Sequence, residues 1–122
     1  MSIDLHSHTD QSDGSLSPQM LIELAEKNGV QMLSITDHDT VSAYHLINNV
    51  PKSMQLIKGV EISCSWNSAT IHILGLDIDI TEEYLLKNLE IQSKQRLISA
   101  VKIAKNLVKL GITDPLTRVM AL

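Results

Sequence analysis

The chain has 122 residues, 43% hydrophobic and 20% charged, a globular composition that argues against a disordered or fibrous chain and leaves room for one domain at most. No apolar run approaches the roughly 20 residues that cross a bilayer, and Met1-Ser2-Ile3-Asp4 has no basic stretch leading into an apolar one, so neither membrane insertion nor classical secretion is expected. Net charge is −4, yet residues 1–83 set twelve acids against three lysines and hold all five histidines, while residues 84–122 set seven Lys/Arg against two acids.

Ile3-Asp4-Leu5 reads as a short strand, and the polar run His6 to Ser15 as a loop. Ser17-Pro18 supplies a helix cap and a proline at the first helical position; Leu21, Leu24 and Ala25 continue the helix until Asn28-Gly29. Val30 to Ile35 is a second strand, Thr36 to Thr40 a second polar loop, and Val41 to Asn49 a second helix that ends before Pro51. Leu56 to Ile62 gives a third strand running on towards Ser63, and Ile71 to Ile80 a fourth, with a turn at Asn67-Ser68 between them. Nearly all-apolar strands alternating with helices argue for an α/β fold with a parallel sheet covered on both faces, and ligand-type residues fall mostly at the C-terminal ends of its strands, where such folds build sites. From Thr81-Glu82-Glu83 a long helix begins; Leu86, Leu89, Leu97, Val101, Ala104 and Val108 form its apolar stripe, and its other face carries Lys87, Lys94, Arg96, Lys102, Lys105 and Lys109.

An acidic part that owns every histidine is the composition of a cation site, and the basic part could face an anion. His6-Ser7-His8 places two imidazoles on one side of an extended segment, where they can share a metal. Asp13 can be a ligand or simply the turn residue before Gly14. In Asp37-His38-Asp39, Asp39 or Thr40 could cap the next helix, which accounts for one residue of the three. Glu61 lies in an apolar strand, where a carboxylate must be paired or metal-bound. His72, within Ile71-His72-Ile73, reads alone as a core histidine. Four consecutive strand regions thus each offer His, Asp or Glu, and a single site is the economical account. His45 falls on the second helix away from the strand ends and is left out, and Cys64, with no second cysteine, reads as a small buried hydrophobe in a reducing, cytoplasmic setting.

Ile3-Asp4-Leu5-His6-Ser7-His8-Thr9, Ser12-Asp13-Gly14, Ile35-Thr36-Asp37-His38-Asp39, Gly59-Val60-Glu61-Ile62-Ser63 and Ile71-His72-Ile73-Leu74-Gly75-Leu76, in this order and spacing, resemble the PHP family, the polymerase and histidinol phosphatase domains. Within it the chain is most similar to the bacterial group that removes the 3′-phosphate from nucleoside 3′,5′-bisphosphates and in some cases trims short RNA from the 5′ end. The resemblance implies the N-terminal part of a distorted seven-stranded β/α barrel over residues 1–81, and the start of an inserted helical lid over residues 82–122. It implies up to three divalent metals, Mn or Zn with Fe as another candidate: His6, His8 and Glu61 for one, Glu61 and His72 for a second, Asp13 and His38 for a third. Asp37 would orient a ligand or a water at the metals, and Arg96 would meet a substrate phosphate.

The family supplies further ligands late in its barrel, and no histidine follows His72 here, so each metal would lack one protein ligand. The expectation is therefore the N-terminal portion of a longer metal-dependent phosphoesterase, with an apolar sheet edge that a second copy could cover. The competing class is a non-catalytic metal-binding or structural remnant of a PHP domain, and a histidinol phosphatase-like activity is the alternative within the family. The expected partner is a small nucleotide or short RNA; no DNA-binding motif is seen.

Overall fold

A computed structural model describes residues 1–120. In chain order it contains β1 (Ser2–Ser7), α1 (Pro18–Lys27), β2 (Val30–Ile35), α2 (Ala43–Leu46), β3 (Gln55–Trp66), β4 (Ala69–Leu76), α3 (Glu83–Lys109) and α4 (Pro115–Met120). The strands form one sheet in the order β1-β2-β3-β4. β1, β2 and β3 run parallel; β4 returns antiparallel to β3 in unbroken register from Gly59 opposite Leu76 to Trp66 opposite Ala69. The sheet is therefore mixed rather than parallel throughout. Asn67 and Ser68, both at positive φ (47° and 66°), make the two-residue turn whose twist suits a hairpin, and this reverses the chain where a crossover helix would have kept it parallel.

α1 begins as its sequence suggests: the Ser17 side chain accepts from the Met20 amide, Pro18 opens the helix, and Gly29 lies just beyond it at φ 73°. Its inner face buries Ile22 and Ala25 against Leu33 of β2 and Met54, with Val30, Ile47, Val50 and Leu56 around them. α2 is only four residues long, shorter than the Val41–Asn49 expected, because Gln19 Oε1 takes the Asn48 and Asn49 amides at 3.1 and 3.2 Å and draws the chain out of helical geometry. A second apolar cluster joins Val41, Val60, Ile80 and Leu89, flanked by Tyr44, Ile62, Ile78, Leu85 and Leu86.

The chain divides into two compact units, residues 1–90 and the part from Ile91 onward. In the second, the expected apolar stripe of α3 is not a buried seam: Leu97 and Val108 are more than half exposed, and Leu89, in the first unit, is the buried residue of the helix. α4 follows a break at Gly111–Asp114 and was not anticipated; six residues give too few turns for periodicity to show. Among the described residues, no helix is long and apolar enough to cross a membrane.

Candidate metal centre

β1 and β2 end beside one another because their apolar runs pair in parallel, while β3 runs on past them to Trp66, so the polar segments that follow β1 and β2 meet Glu61 within β3. β1 slips register by one residue between Asp4 and Ser7, so His6 and His8 leave it at an irregularity rather than on a regular strand. The loop beyond closes tightly, with the Gly14 amide donating to Thr9 O at 2.8 Å. A side chain at Gly14 would run into the backbone of His8 and Thr9, so Asp13 is held beside His8 by a turn that only glycine fits. After β2, the backbone of residues 37–39 pairs again with β3: Glu61 N donates to Asp37 O at 3.2 Å and Asp39 N to Glu61 O at 3.0 Å, which sets His38 against Glu61.

All six candidate ligands meet here. Glu61 is buried, and its Oε2 lies 2.9 Å from His6 Nε2, 3.1 Å from His8 Nε2 and 3.7 Å from His38 Nε2, while Oε1 lies 2.7 Å from His72 Nδ1. Asp13 spans two of the same rings, 3.3 Å from His8 Nδ1 and 3.4 Å from His38 Nε2. The rings of His8 and His38 stack at 4.8 Å, and His72 meets His38 edge-on at 4.9 Å. His72 is thus bonded to Glu61 and part-exposed, not a core histidine. Burial pushes the Glu61 carboxyl up, but hydrogen bonds from His6 and His72 and the charges of His38 and His6 outweigh it and hold the group below the usual carboxylate range.

Every recorded ion pair of Glu61 and Asp13 is with a histidine. The positive complement of these carboxylates is therefore protons on imidazoles or a cation among them. Among the described residues, three groups have ligand atoms within 4.8 Å of one another: His6, His8 and Glu61; His8, Asp13 and His38; His38, Glu61 and His72. Mixed imidazole and carboxylate donors suit Zn, Mn or Fe better than Mg or Ca. His8 and His38 belong to two groups each, and a neutral imidazole has one nitrogen lone pair to give, so the groups overlap.

Asp37 is in none of these groups. Its Oδ1 accepts from the Thr9 amide and the Ser12 hydroxyl, each at 2.7 Å, and its Oδ2 from the Thr9 hydroxyl at 2.6 Å, all beneath the loop that carries His8 and Asp13. Thr9 and Ser12 are invisible as site residues in the sequence, since their partner lies 28 and 25 positions away. Tyr44 was also missed. Its hydroxyl sits where β2 and β3 separate, donating to Ile35 O at 2.5 Å and accepting from the Gly59 amide at 2.6 Å, and so stands in for the missing ladder bond just before Glu61. Neither Asp39 nor Thr40 is the cap of α2, whose N-cap position is Ser42. Cys64 is half-buried rather than buried, His45 is exposed on α2, and Arg96 is exposed on α3 in the second unit.

The model of the PHP domain matches residues 4–113. The chain belongs to the PHP family. It is 43% identical over 117 residues to the 5′-3′ exoribonuclease Rnm of Escherichia coli, covering 93% of the chain and 40% of that protein. It is 36% identical over 112 residues to a 3′,5′-nucleoside bisphosphate phosphatase of Chromobacterium violaceum, covering 90% and 39%. A solved structure described as an amidohydrolase from Chromobacterium violaceum, with bound sulfate and no metal, superposes with a TM-score of 0.88 at 32% identity, covering 99% of the chain and 43% of that protein. The chain thus spans about two fifths of the length of the curated relatives it matches. Its mixed sheet and long helix are the N-terminal part of the PHP-type α/β fold.

Proposed function

We propose that the chain carries the first ligands of a metal-dependent phosphoesterase acting on phosphate esters of nucleotides, such as nucleoside 3′,5′-bisphosphates or short RNA. The observation behind this reading is the convergence of four imidazoles on the buried Glu61 carboxylate, with Asp13 across two of them. The names of the exoribonuclease and bisphosphate phosphatase relatives support the substrate class.

His6, His8 and Glu61 would hold one divalent ion, Glu61 and His72 a second, and Asp13 with His38 a third; Mn or Zn, or Fe, suits the donors. Bound there, such ions supply an acidified water as nucleophile and a clamp on phosphoryl oxygens. Glu61 contributes the charge that two groups share, and its burial keeps that charge from being screened by water. Asp37 orients rather than reacts: by holding Thr9 and Ser12 it fixes the loop from which His8 and Asp13 project. Arg96, among the lysines of α3, would contact a substrate phosphate, where guanidinium can bind two oxygens at once.

The test is phosphate release from a nucleoside 3′,5′-bisphosphate by a chimera in which the chain replaces the matching part of the Escherichia coli relative, with Mn or Zn added. Chelator-sensitive turnover that falls by several orders of magnitude in His8→Ala is expected. A folded chimera that binds metal but releases no phosphate would instead favour the non-catalytic reading.

A further inference from the structure

Asp39 is buried, with 2% of its surface exposed, and sits in the left-handed region at φ 55°. Both conditions cost free energy: an ionisable side chain loses water, and a residue with a Cβ is held where glycine or asparagine would be easier. Its bonds show what they maintain. The Asp39 amide donates to Glu61 O at 3.0 Å, and its Oδ1 accepts from the Ser63 amide at 2.8 Å, so one residue grips β3 on both sides of Ile62. Ser63 is the register partner of His72 across the hairpin, and residues 61 and 63 share a face of the strand. His72 Nδ1 in turn meets Glu61 Oε1 at 2.7 Å.

We propose that Asp39 is a positioning residue that fixes the spacing of Glu61 and His72, and thereby the group His38, Glu61 and His72, without touching anything bound there. The inference rests on the metal reading above for its consequence, but its structural content stands on the hydrogen bonds alone. Asp37 and Asp39 then divide the work on either side of His38. Asp37 reaches back to the loop after β1, and Asp39 reaches forward to β3.

The discriminating variants are Asp39→Gly, which tolerates φ 55° and removes the acceptor, and Asp39→Asn, which tolerates the same φ and restores an acceptor oxygen. In the whole chain, Asp39→Gly should raise amide exchange at Ser63 at least about tenfold with Thr9 unchanged, and shift the His72 ring resonances, because Ser63 loses its partner while Asp37 keeps its own. Affinity at the His38, Glu61 and His72 group should fall about 10- to 100-fold in a Zn titration, as for other residues that orient ligands. Asp39→Asn should restore exchange, ring resonances and affinity to within a few-fold of the parent. Unchanged Ser63 exchange and His72 resonances in Asp39→Gly, or an Asn variant that behaves like the Gly one, would overturn the proposal. A parent chain that takes up no Zn would overturn the metal reading instead, while exchange and ring resonances still decide whether Asp39 braces the strand.

Discussion

Residues 1–90 bury Ile22, Leu33, Ile35 and Val60 completely and, close by, the polar side chains of Thr9, Thr36, Asp37, Asp39 and Glu61. From Ile91 onward, Leu97, Ile98, Ile103, Val108 and Leu110 stand exposed beside a row of lysines. Burying a carboxylate is costly unless it is bonded, so the three buried acids of the first unit mark where structure is held for chemistry. Each is accounted for by partners: Asp37 by Thr9 and Ser12, Asp39 by Ser63, Glu61 by histidines. In the second unit little depends on any single one of these exposed apolar side chains.

The contrast can be tested most severely at Glu61. Glu61→Ala should cut uptake of Zn or Mn, measured by elemental analysis, to what His8, Asp13 and His38 hold by themselves, because it removes the oxygen shared by three imidazoles, while Arg96→Ala in the second unit should leave metal content unchanged. In packing, Leu33→Ala should cost about 2–5 kcal/mol by denaturant unfolding, as for other fully buried leucines, and Leu97→Ala about 0.5 kcal/mol or less. Equal costs at the two positions would erase the distinction between the units.

Tyr44→Phe should cost about 1–3 kcal/mol at neutral pH, since it strands the Gly59 amide and the Ile35 carbonyl between two strands. Burial pushes the Tyr44 phenol above its ordinary 10.0, against the opposing hydrogen bond that its oxygen accepts from the Gly59 amide. Folding therefore favours the protonated phenol. That contribution is complete below pH 10.0 and is lost as pH rises through the higher folded value, so the parent should lose stability on the alkaline side where Tyr44→Phe does not. The smallest effect is expected from Arg96→Ala in the chimera, a raised KM for a bisphosphate substrate with kcat little changed, as for loss of a contact made equally in ground and transition states.

The parallel β1-β2-β3 core and α1 were legible because apolar runs, a Ser-Pro cap and a terminal Asn-Gly are local signals. The six candidate ligands were legible for a related reason, each standing at or near a strand in an otherwise apolar or acidic setting. The direction of β4 was not drawn from Asn67-Ser68, although two residues that tolerate positive φ between apolar runs already pointed to a hairpin. What could not be read were the supports. Thr9, Ser12, Asp39 and Tyr44 act on partners 9 to 28 positions away, and nothing in their neighbours' chemistry distinguishes them from ordinary loop or helix residues. α3 was legible as a helix ending before Gly111, while its regular apolar stripe records amphipathic spacing and says nothing of what covers it.

Anomalous diffraction from crystals of the chain grown with Zn or Mn tests the central claim most directly. The account predicts peaks among His6, His8 and Glu61, with weaker ones where Asp13 meets His8 and His38 and where His38 and Glu61 meet His72. Crystals that carry the metal only elsewhere on the surface, with Glu61 still bonded directly to His6 and His72, would contradict it.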